Sequence, residues 1–115
     1  MSENAFNKDC RKDVRAVHDA MDVLNGKWKI SVIAVLCYSK ERRFSEILSD
    51  IEGISNKMLS KELKELESDR LVKRTVLDTQ PIAVSYELTP YGKSLKEVIM
   101  HLARWGSEHR QHIIG

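Results

Sequence analysis

The sequence is poor in the residues that mark secreted, membrane-spanning and metal-binding proteins. Its 115 residues include only two cysteines, two prolines and five glycines, and 19 basic residues nearly balance 17 acidic ones. Cys10 and Cys37 are too few for a disulfide framework and lack the spacing of a metal site. No apolar run approaches the roughly 18 residues of a membrane span, and residues 1–10 contain no signal-peptide core. We therefore expect a cytoplasmic protein that does not use a membrane.

Catalytic and cofactor-binding motifs are also missing. The chain contains no nucleophile elbow, phosphate-binding loop, zincin motif or paired carboxylates. His109 and His112 are three residues apart, but no cysteine or carboxylate completes a metal site with them. We predict no enzymatic activity, no cofactor and no metal ion.

Apolar residues are spaced as in helices over the first third of the chain. The composition, 42% hydrophobic and 31% charged, is typical of one globular domain, and no repeat or linker divides it. Residues 28–38 are apolar on nearly every side, which predicts a central helix. An earlier helix ends near Asn25-Gly26 and carries a stripe formed by Val14, Val17, Met21 and Leu24.

Two helices joined by a short turn are predicted over about residues 44–69. Residues 39–43 are polar and predict a turn, after which Ser45 can cap a short helix that stops before Gly53. Ser55 can cap the next helix, whose apolar positions are Leu59, Leu63 and Leu66. This arrangement is a helix-turn-helix.

From Leu71 onward the apolar period changes from that of a helix to that of a strand. Residues 71–77 and 83–88 predict two strands, and the intervening segment supplies turn residues, so we expect a β-hairpin over about residues 71–88. Thr89-Pro90 then begins a C-terminal helix over about residues 90–112. The prediction is a mainly α protein with a small β-hairpin, a winged helix-turn-helix that forms a single domain over residues 1–115.

On a helical wheel, the charges of the second helix of the pair separate onto different faces. Lys57, Lys61 and Lys64 lie opposite the leucine stripe, while Glu62 and Glu65 lie on one shoulder. Such a helix fits the major groove of DNA, with base contacts from Asn56 and Lys57 and phosphate contacts from the later lysines. The predicted DNA-binding residues are Arg43, Ser55, Asn56, Lys57, Ser60, Lys61, Lys64, Lys73 and Arg74. Adjacent strand residues point to opposite faces, so at most one of the last two can face DNA. The alternative is an ordinary solvated lysine face.

The two terminal helices carry coiled-coil-like apolar stripes. One consists of Val14, Val17, Met21 and Leu24, and the other of Leu95, Val98, Leu102 and Trp105. Both stripes could pack onto the chain's own core. We predict instead a two-fold homodimer, because a dimer places two recognition helices about one DNA turn apart.

Five segments of the chain occur in an order that is specific in combination. They are Gly26-Lys27-Trp28, residues 43–47, residues 53–59 with Leu63 and Leu66, residues 86–92 with Leu95, and Trp105. In this combination the sequence resembles the HxlR family of winged helix-turn-helix regulators, over about residues 17–106. The resemblance implies a homodimeric, cytoplasmic, bacterial-type transcriptional regulator that binds (pseudo)palindromic operators and dimerises through its terminal helices.

Three positions depart from the pattern of that family. Where many members carry a Cys-Pro pair, this chain has Arg15 and Ala16, so a sensing role does not carry over to Cys10. A basic wing residue is replaced by Ala83. A glycine after the recognition helix is replaced by Arg70, which predicts a strained or differently capped exit from that helix.

The predicted function is sequence-specific binding of double-stranded DNA by a homodimeric regulator of transcription. The alternative is a winged-helix module that binds another protein and no specific DNA. The effector is an open question, either an unknown small molecule or a redox signal. Cys10, near the N-terminus, is the candidate redox residue, whereas Cys37 is predicted to be a buried core thiol.

Overall fold

The computed structural model describes residues 6–115, which form five α-helices and a small three-stranded sheet. The elements are α1 (Lys8–Leu24), α2 (Lys27–Tyr38), β1 (Glu41–Arg43), α3 (Phe44–Asp50), α4 (Asn56–Ser68), β2 (Val72–Leu77), β3 (Ala83–Leu88) and α5 (Lys96–Ile114), which a short 3₁₀ helix (Gly92–Leu95) precedes. The predicted fold class is confirmed: the chain is mainly helical, with a winged helix-turn-helix arrangement. None of the helices within these 110 positions is long and apolar enough to cross a membrane.

The core lies between α2, α4 and the sheet. Val32 and Ile33 of the central helix α2 are fully buried, as the all-round apolar pattern predicted. The leucine stripe of α4 is confirmed as well, since Leu59, Leu63 and Leu66 are almost completely buried. Burial of side chains of this kind contributes about 1.5–3 kcal/mol each. The opposite face of α4 is thereby directed outward.

The segment before the helix-turn-helix is a strand, where the sequence predicted a turn. β1 pairs antiparallel with β3, so the sheet order is β1-β3-β2 and the hairpin becomes part of a three-stranded sheet. The hydroxyl of Ser85 on β3 donates a hydrogen bond to Oε1 of Glu41, at 2.7 Å. Three polar residues carry no visible alternation, and it is the open edge of β3 that makes them a strand.

The observed cap of α4 is the residue predicted from the sequence, whereas the observed cap of α3 is not. The Ser55 hydroxyl accepts a hydrogen bond from the Met58 N–H at 3.1 Å, so Ser55 caps α4 as predicted. Ser45, in contrast, lies inside α3, which begins at Phe44. There the backbone N–H of Arg43 donates to Oε1 of Glu46 at 2.9 Å.

The chain leaves α4 through a left-handed residue at Arg70, whose φ is +62°. The N–H of Leu71 donates to the carbonyl of Leu66, and the N–H of Arg70 donates to the carbonyl of Glu67, both at 3.0 Å. These two bonds form a Schellman motif, which usually places glycine at the left-handed position. The expected strain at Arg70 is therefore present.

Hydrogen bonds connect this exit from α4 to the start of the C-terminal helix. The Thr89 hydroxyl donates to the Arg70 carbonyl at 2.7 Å and accepts from the Gly92 N–H at 2.9 Å. The Thr89 N–H donates to the Leu71 carbonyl at 3.0 Å. A Cβ on Gly92 would overlap that same carbonyl oxygen, so only glycine fits this close approach. Thr89 thus acts as a cap, as predicted, but the helix starts as a 3₁₀ turn. We call these contacts the α4–α5 junction.

Candidate nucleic-acid interface

The outer face of α4 forms one continuous polar surface. Its residues line a shallow depression of about 720 Å³. The lining comprises all five residues of the predicted stripe on this helix, Asn56, Lys57, Ser60, Lys61 and Lys64, together with Phe44 and Glu65. We call this surface the α4 depression. Because the leucines on the opposite side of α4 are buried, the helix cannot rotate to withdraw these side chains.

The lysines of the α4 depression are available to an anionic partner. Lys57, Lys61 and Lys64 are exposed, and within residues 6–115 none of them forms a salt bridge. Arg42 differs, since its guanidinium makes two hydrogen bonds to Asp50, at 2.9 and 2.8 Å. A cation that is already paired has less to offer to a phosphate. The lysines of α4 differ in this respect from Arg42 on β1.

The start of α4 adds backbone donors to this surface. Ser55 is exposed and uses its oxygen to cap the helix, while its hydroxyl hydrogen remains able to donate. Asn56 and Lys57 follow in the first turn, where the helix dipole favours an anion. The arrangement therefore presents amide, hydroxyl and ammonium donors at one end of the helix.

Glu62, one of the two acidic residues on the shoulder of α4, does not lie beside the lysines of the α4 depression. Glu62 is only 6% exposed, and its Oε2 lies 4.0 Å from where a Cβ on Gly26 would be. Its place beside Gly26, which precedes α2, removes it from the outer face. The wheel placed it correctly by angle but carried no information about α2.

Glu65 has a partner that sequence analysis missed. The buried ammonium of Lys29, on α2, donates to Oε1 of Glu65 at 2.6 Å. This hydrogen bond and the Lys29 charge lower the pKa of the Glu65 carboxyl, with a further lowering from Lys61. Glu65 is therefore a paired carboxylate within the α4 depression. The sequence signal for such a pair, which was overlooked, is a lysine within an otherwise apolar helix.

The wing residues lie apart from the α4 depression. Lys73 is opposite Glu87, which is also opposite Glu41, so its charge lies on a sheet face that carries two carboxylates. Arg74 is opposite Tyr86, on the other face. Both are exposed, as is Arg43, and none of the three lines the depression on α4.

The terminal helices expose the apolar stripes that were predicted to form a dimer. Val17 is 61% exposed and Trp105 is 63% exposed, and the other large exposed members are Val14, Met21, Val98 and Leu102. Leu24 differs because it is buried in the core of its own chain, and Leu95 is half-buried against that core. We correct the predicted dimer face accordingly and remove Leu24 from it. The Trp105 ring stacks on His109, with centroids 4.9 Å apart.

The two thiols lie in different surroundings. Cys10 lies in the first turns of α1, where its N–H donates to the Asn7 side chain at 3.1 Å. Cys37 is half-buried, not fully buried as predicted, and burial raises the pKa of its thiol against an opposing effect of Lys96. Across the part of the chain that the structure covers, no group of three His, Cys, Asp or Glu is placed to hold a metal ion.

Comparison with known proteins extends this description. Residues 23–113 match the family described as HxlR-like helix-turn-helix. Over 100 residues the chain is 36% identical to the uncharacterised HTH-type transcriptional regulator YtcD of Bacillus subtilis, which covers 87% of this chain and 79% of YtcD. The crystal structure of YtcD superposes with a TM-score of 0.76 at 36% identity, over 83% of this chain and 96% of that one. The redox regulator HypR in its reduced form gives a TM-score of 0.76 at 32% identity, over 85% and 96% of the two chains.

The family match covers most of the chain and includes the helix-turn-helix, the wing and all but the last residue of α5. The relatives are regulators of transcription rather than enzymes. In this chain, the lysines of α4 face outward. The chain therefore belongs to the HxlR-like helix-turn-helix family and is a transcriptional regulator with a helix-turn-helix DNA-binding domain.

Proposed function

We propose that this regulator binds a specific, (pseudo)palindromic operator in double-stranded DNA as a homodimer, with α4 of each protomer in a major groove. The observation that carries the proposal is the α4 depression, in which three lysines that form no salt bridge within residues 6–115 lie beside an amide and a hydroxyl. A helix of this kind contacts base edges with its N-terminal residues and phosphates with its outer lysines. We assign base contacts to Asn56 and Lys57, and phosphate contacts to Lys61 and Lys64.

The remaining predicted residues have a smaller part in the proposed interface. Ser55 and Ser60 are assigned to polar contacts with the backbone of DNA, and Arg43 to a phosphate beside the helix-turn-helix. Of the two wing residues, we favour Arg74 over Lys73, because Lys73 shares its sheet face with Glu41 and Glu87. A lysine between carboxylates contributes less to the attraction of phosphate.

The homodimer is proposed from the exposed stripes on α1 and α5. Six large members of the two stripes are exposed in the single chain, namely Val14, Val17, Met21, Val98, Leu102 and Trp105. Apolar surface of this extent on two helices usually marks an interface. The partner that fits is a second copy of the chain, since a two-fold dimer matches a palindromic site. In this proposal residues 1–115 form one domain, with the helix-turn-helix at 44–69, the wing at 71–88 and a dimerisation helix at 90–112.

We propose that a redox signal or a small-molecule effector controls DNA binding. HypR is described as a redox regulator, and that resemblance brings Cys10 forward as the residue to examine. The raised pKa of Cys37 makes its thiol less reactive at neutral pH. Comparing DNA binding by the wild type and by Cys10→Ser, each before and after mild oxidation, tests the assignment. Equal responses of the two proteins would remove Cys10 from consideration.

The test of the function begins with DNA fragments recovered by the purified protein from a random library. The recovered operator is then titrated at several salt concentrations, with a scrambled duplex of the same length and composition as the control. For about six phosphate contacts, affinity should fall on the order of 10³-fold between 50 and 200 mM salt. The operator should bind about 10³-fold or more tightly than the scrambled duplex.

Two outcomes would contradict the proposal. Absence of DNA binding at 50 mM salt would favour a module that binds another protein. Equal binding to the operator and the scrambled duplex would leave a nonspecific DNA-binding protein.

A further inference from the structure

Lys29 is a charged residue in a place that an apolar residue would ordinarily occupy. It lies on the central helix α2, and its side chain is only 4% exposed. Within residues 6–115, its salt bridge is to Glu65, whose side chain is 43% exposed at the edge of the α4 depression. The pair therefore connects the core to the surface that we assign to DNA.

Stability alone does not account for this pair. Removing an ammonium group from water costs several kcal/mol, and well-packed apolar residues often replace a buried ion pair without loss of stability. A lysine at position 29 has a function if a positive charge is required beside the Glu65 carboxylate. That place is the α4 depression, which Glu65 shares with Lys61 and Lys64.

An unpaired carboxylate in this place would oppose the binding of phosphate. The charge of Glu65 lies among the lysines that are proposed to attract the phosphates of DNA. A carboxylate that lies within one Debye length of a bound phosphate repels it, and salt does not fully screen that repulsion. The 2.6 Å hydrogen bond from Lys29 brings a compensating positive charge to the carboxylate. It also holds the carboxylate on the side of α4 that faces α2. Glu62, the acid one turn earlier, is buried beside Gly26 and does not line the depression.

We propose that Lys29 is a positioning residue of the DNA interface, whose ammonium holds and neutralises the Glu65 carboxylate so that α4 presents a positive face to phosphate. The proposal rests on the proposed DNA-binding function. It adds a residue that does not itself reach DNA and that lies outside the helix-turn-helix.

The test compares four variants with the wild type on the same operator duplex. Lys29→Met removes the charge and keeps the length of the side chain. Lys29→Gln removes the charge but retains an N–H that can donate to Glu65. The double variant K29M/E65Q removes both charges. Lys40→Met is the control for net charge, because it also removes one positive charge but lies beyond the C-terminal end of α2, whereas Lys29 lies near its start.

The expected pattern follows from the charge on the α4 depression. At 50 mM salt, K29M and K29Q should each bind about tenfold more weakly than the wild type, and at 200 mM about threefold more weakly, because salt screens the exposed carboxylate. K29M/E65Q should bind within about twofold of the wild type, since no uncompensated charge remains. K40M should show a smaller loss than either variant of Lys29. Circular dichroism confirms that each protein is folded, and K29Q takes the place of K29M if the latter does not fold.

Two results would overturn the proposal while leaving the DNA-binding function intact. One is an equal loss of affinity in the single and double variants, which would indicate a purely structural contact. The other is a loss in K29M and K29Q that does not change with salt. If the wild type itself binds no DNA at 50 mM salt, the proposed function fails, and the role of Lys29 fails with it.

Discussion

Replacement of Arg70 by glycine should stabilise the folded protein, and its structure permits an estimate of how much. Arg70 has a φ of +62°, a conformation in which the Cβ of an L-residue crowds its own carbonyl oxygen. The backbone hydrogen bonds at this position are already made: the N–H donates to Glu67 and the carbonyl accepts from Thr89. Glycine would keep both bonds and remove only the crowded atom.

The expected gain is the difference between two effects. Relief of the left-handed conformation is worth roughly 1–2 kcal/mol. Glycine also makes the unfolded chain more flexible, which costs about 0.5–1 kcal/mol. The free energy of unfolding should therefore rise by about 0.5–1 kcal/mol, and for a chain of this size Tm should rise by about 2–5 °C.

Thermal and urea unfolding of matched variants separates the Cβ from the charge. Arg70→Ala keeps the Cβ and should unfold close to the wild type. Asp69→Gly introduces glycine one residue earlier, where φ is −80° and no strain exists, and should lose about 0.5–1 kcal/mol. All proteins are compared at one concentration, because the proposed dimer would make apparent stability depend on concentration. Strain at the Arg70 Cβ is excluded if R70A gains as much free energy of unfolding as R70G, or if R70G is no more stable than the wild type.

Three further changes test other parts of the structure. Gly92→Ala places a Cβ against a backbone carbonyl oxygen and should lower the free energy of unfolding by about 2 kcal/mol or more. The control, Lys93→Ala at the neighbouring exposed position, should leave the free energy of unfolding nearly unchanged. Equal free energies of unfolding for the two variants would contradict the close approach at Gly92. Trp105→Glu should weaken the proposed dimer at least about a hundredfold, seen by light scattering across a dilution series, and a dimer that persists would place the interface elsewhere. The double change of Lys61 and Lys64 to Ala removes four proposed phosphate contacts from a dimer, so the slope of log affinity against log salt should become shallower by about 3 to 4; an unchanged slope would leave these lysines outside the DNA contact.

The parts of the fold that could be predicted from sequence are those in which a periodic pattern meets a local signal. The Leu59, Leu63 and Leu66 stripe is regular, and Ser55 precedes it at the capping position, so α4 was predictable in extent and in orientation. The strained exit at Arg70 was likewise predictable from the absence of glycine. Each of these depends on residues that are neighbours along the chain.

The parts that escaped prediction depend on contacts between distant segments. β1 is a strand because β3 lies beside it, more than 40 residues later along the chain, and three polar residues give no pattern of their own. The pair of Lys29 and Glu65 spans 36 residues, and a helical wheel drawn for α4 alone has no place for a partner on α2. Tertiary contacts of this kind override local propensity. The candidate site was therefore predictable in its lysines, but its paired carboxylate was not.

The α4–α5 junction connects the surface proposed to bind DNA with the surface proposed to bind a second copy of the chain. α4 ends at Ser68, and within a few residues the chain is held by Thr89 and by the close approach of Gly92 to Leu71. α5 starts immediately beyond these contacts and carries the exposed Trp105 stripe. Two helices joined by several short contacts cannot change their relative angle without breaking them. The pairing of α5 with a second copy would therefore set the separation of the two α4 helices, which must match one turn of DNA. On this argument, the strain at Arg70 is tolerated because the left-handed turn is what brings Leu71 against Gly92.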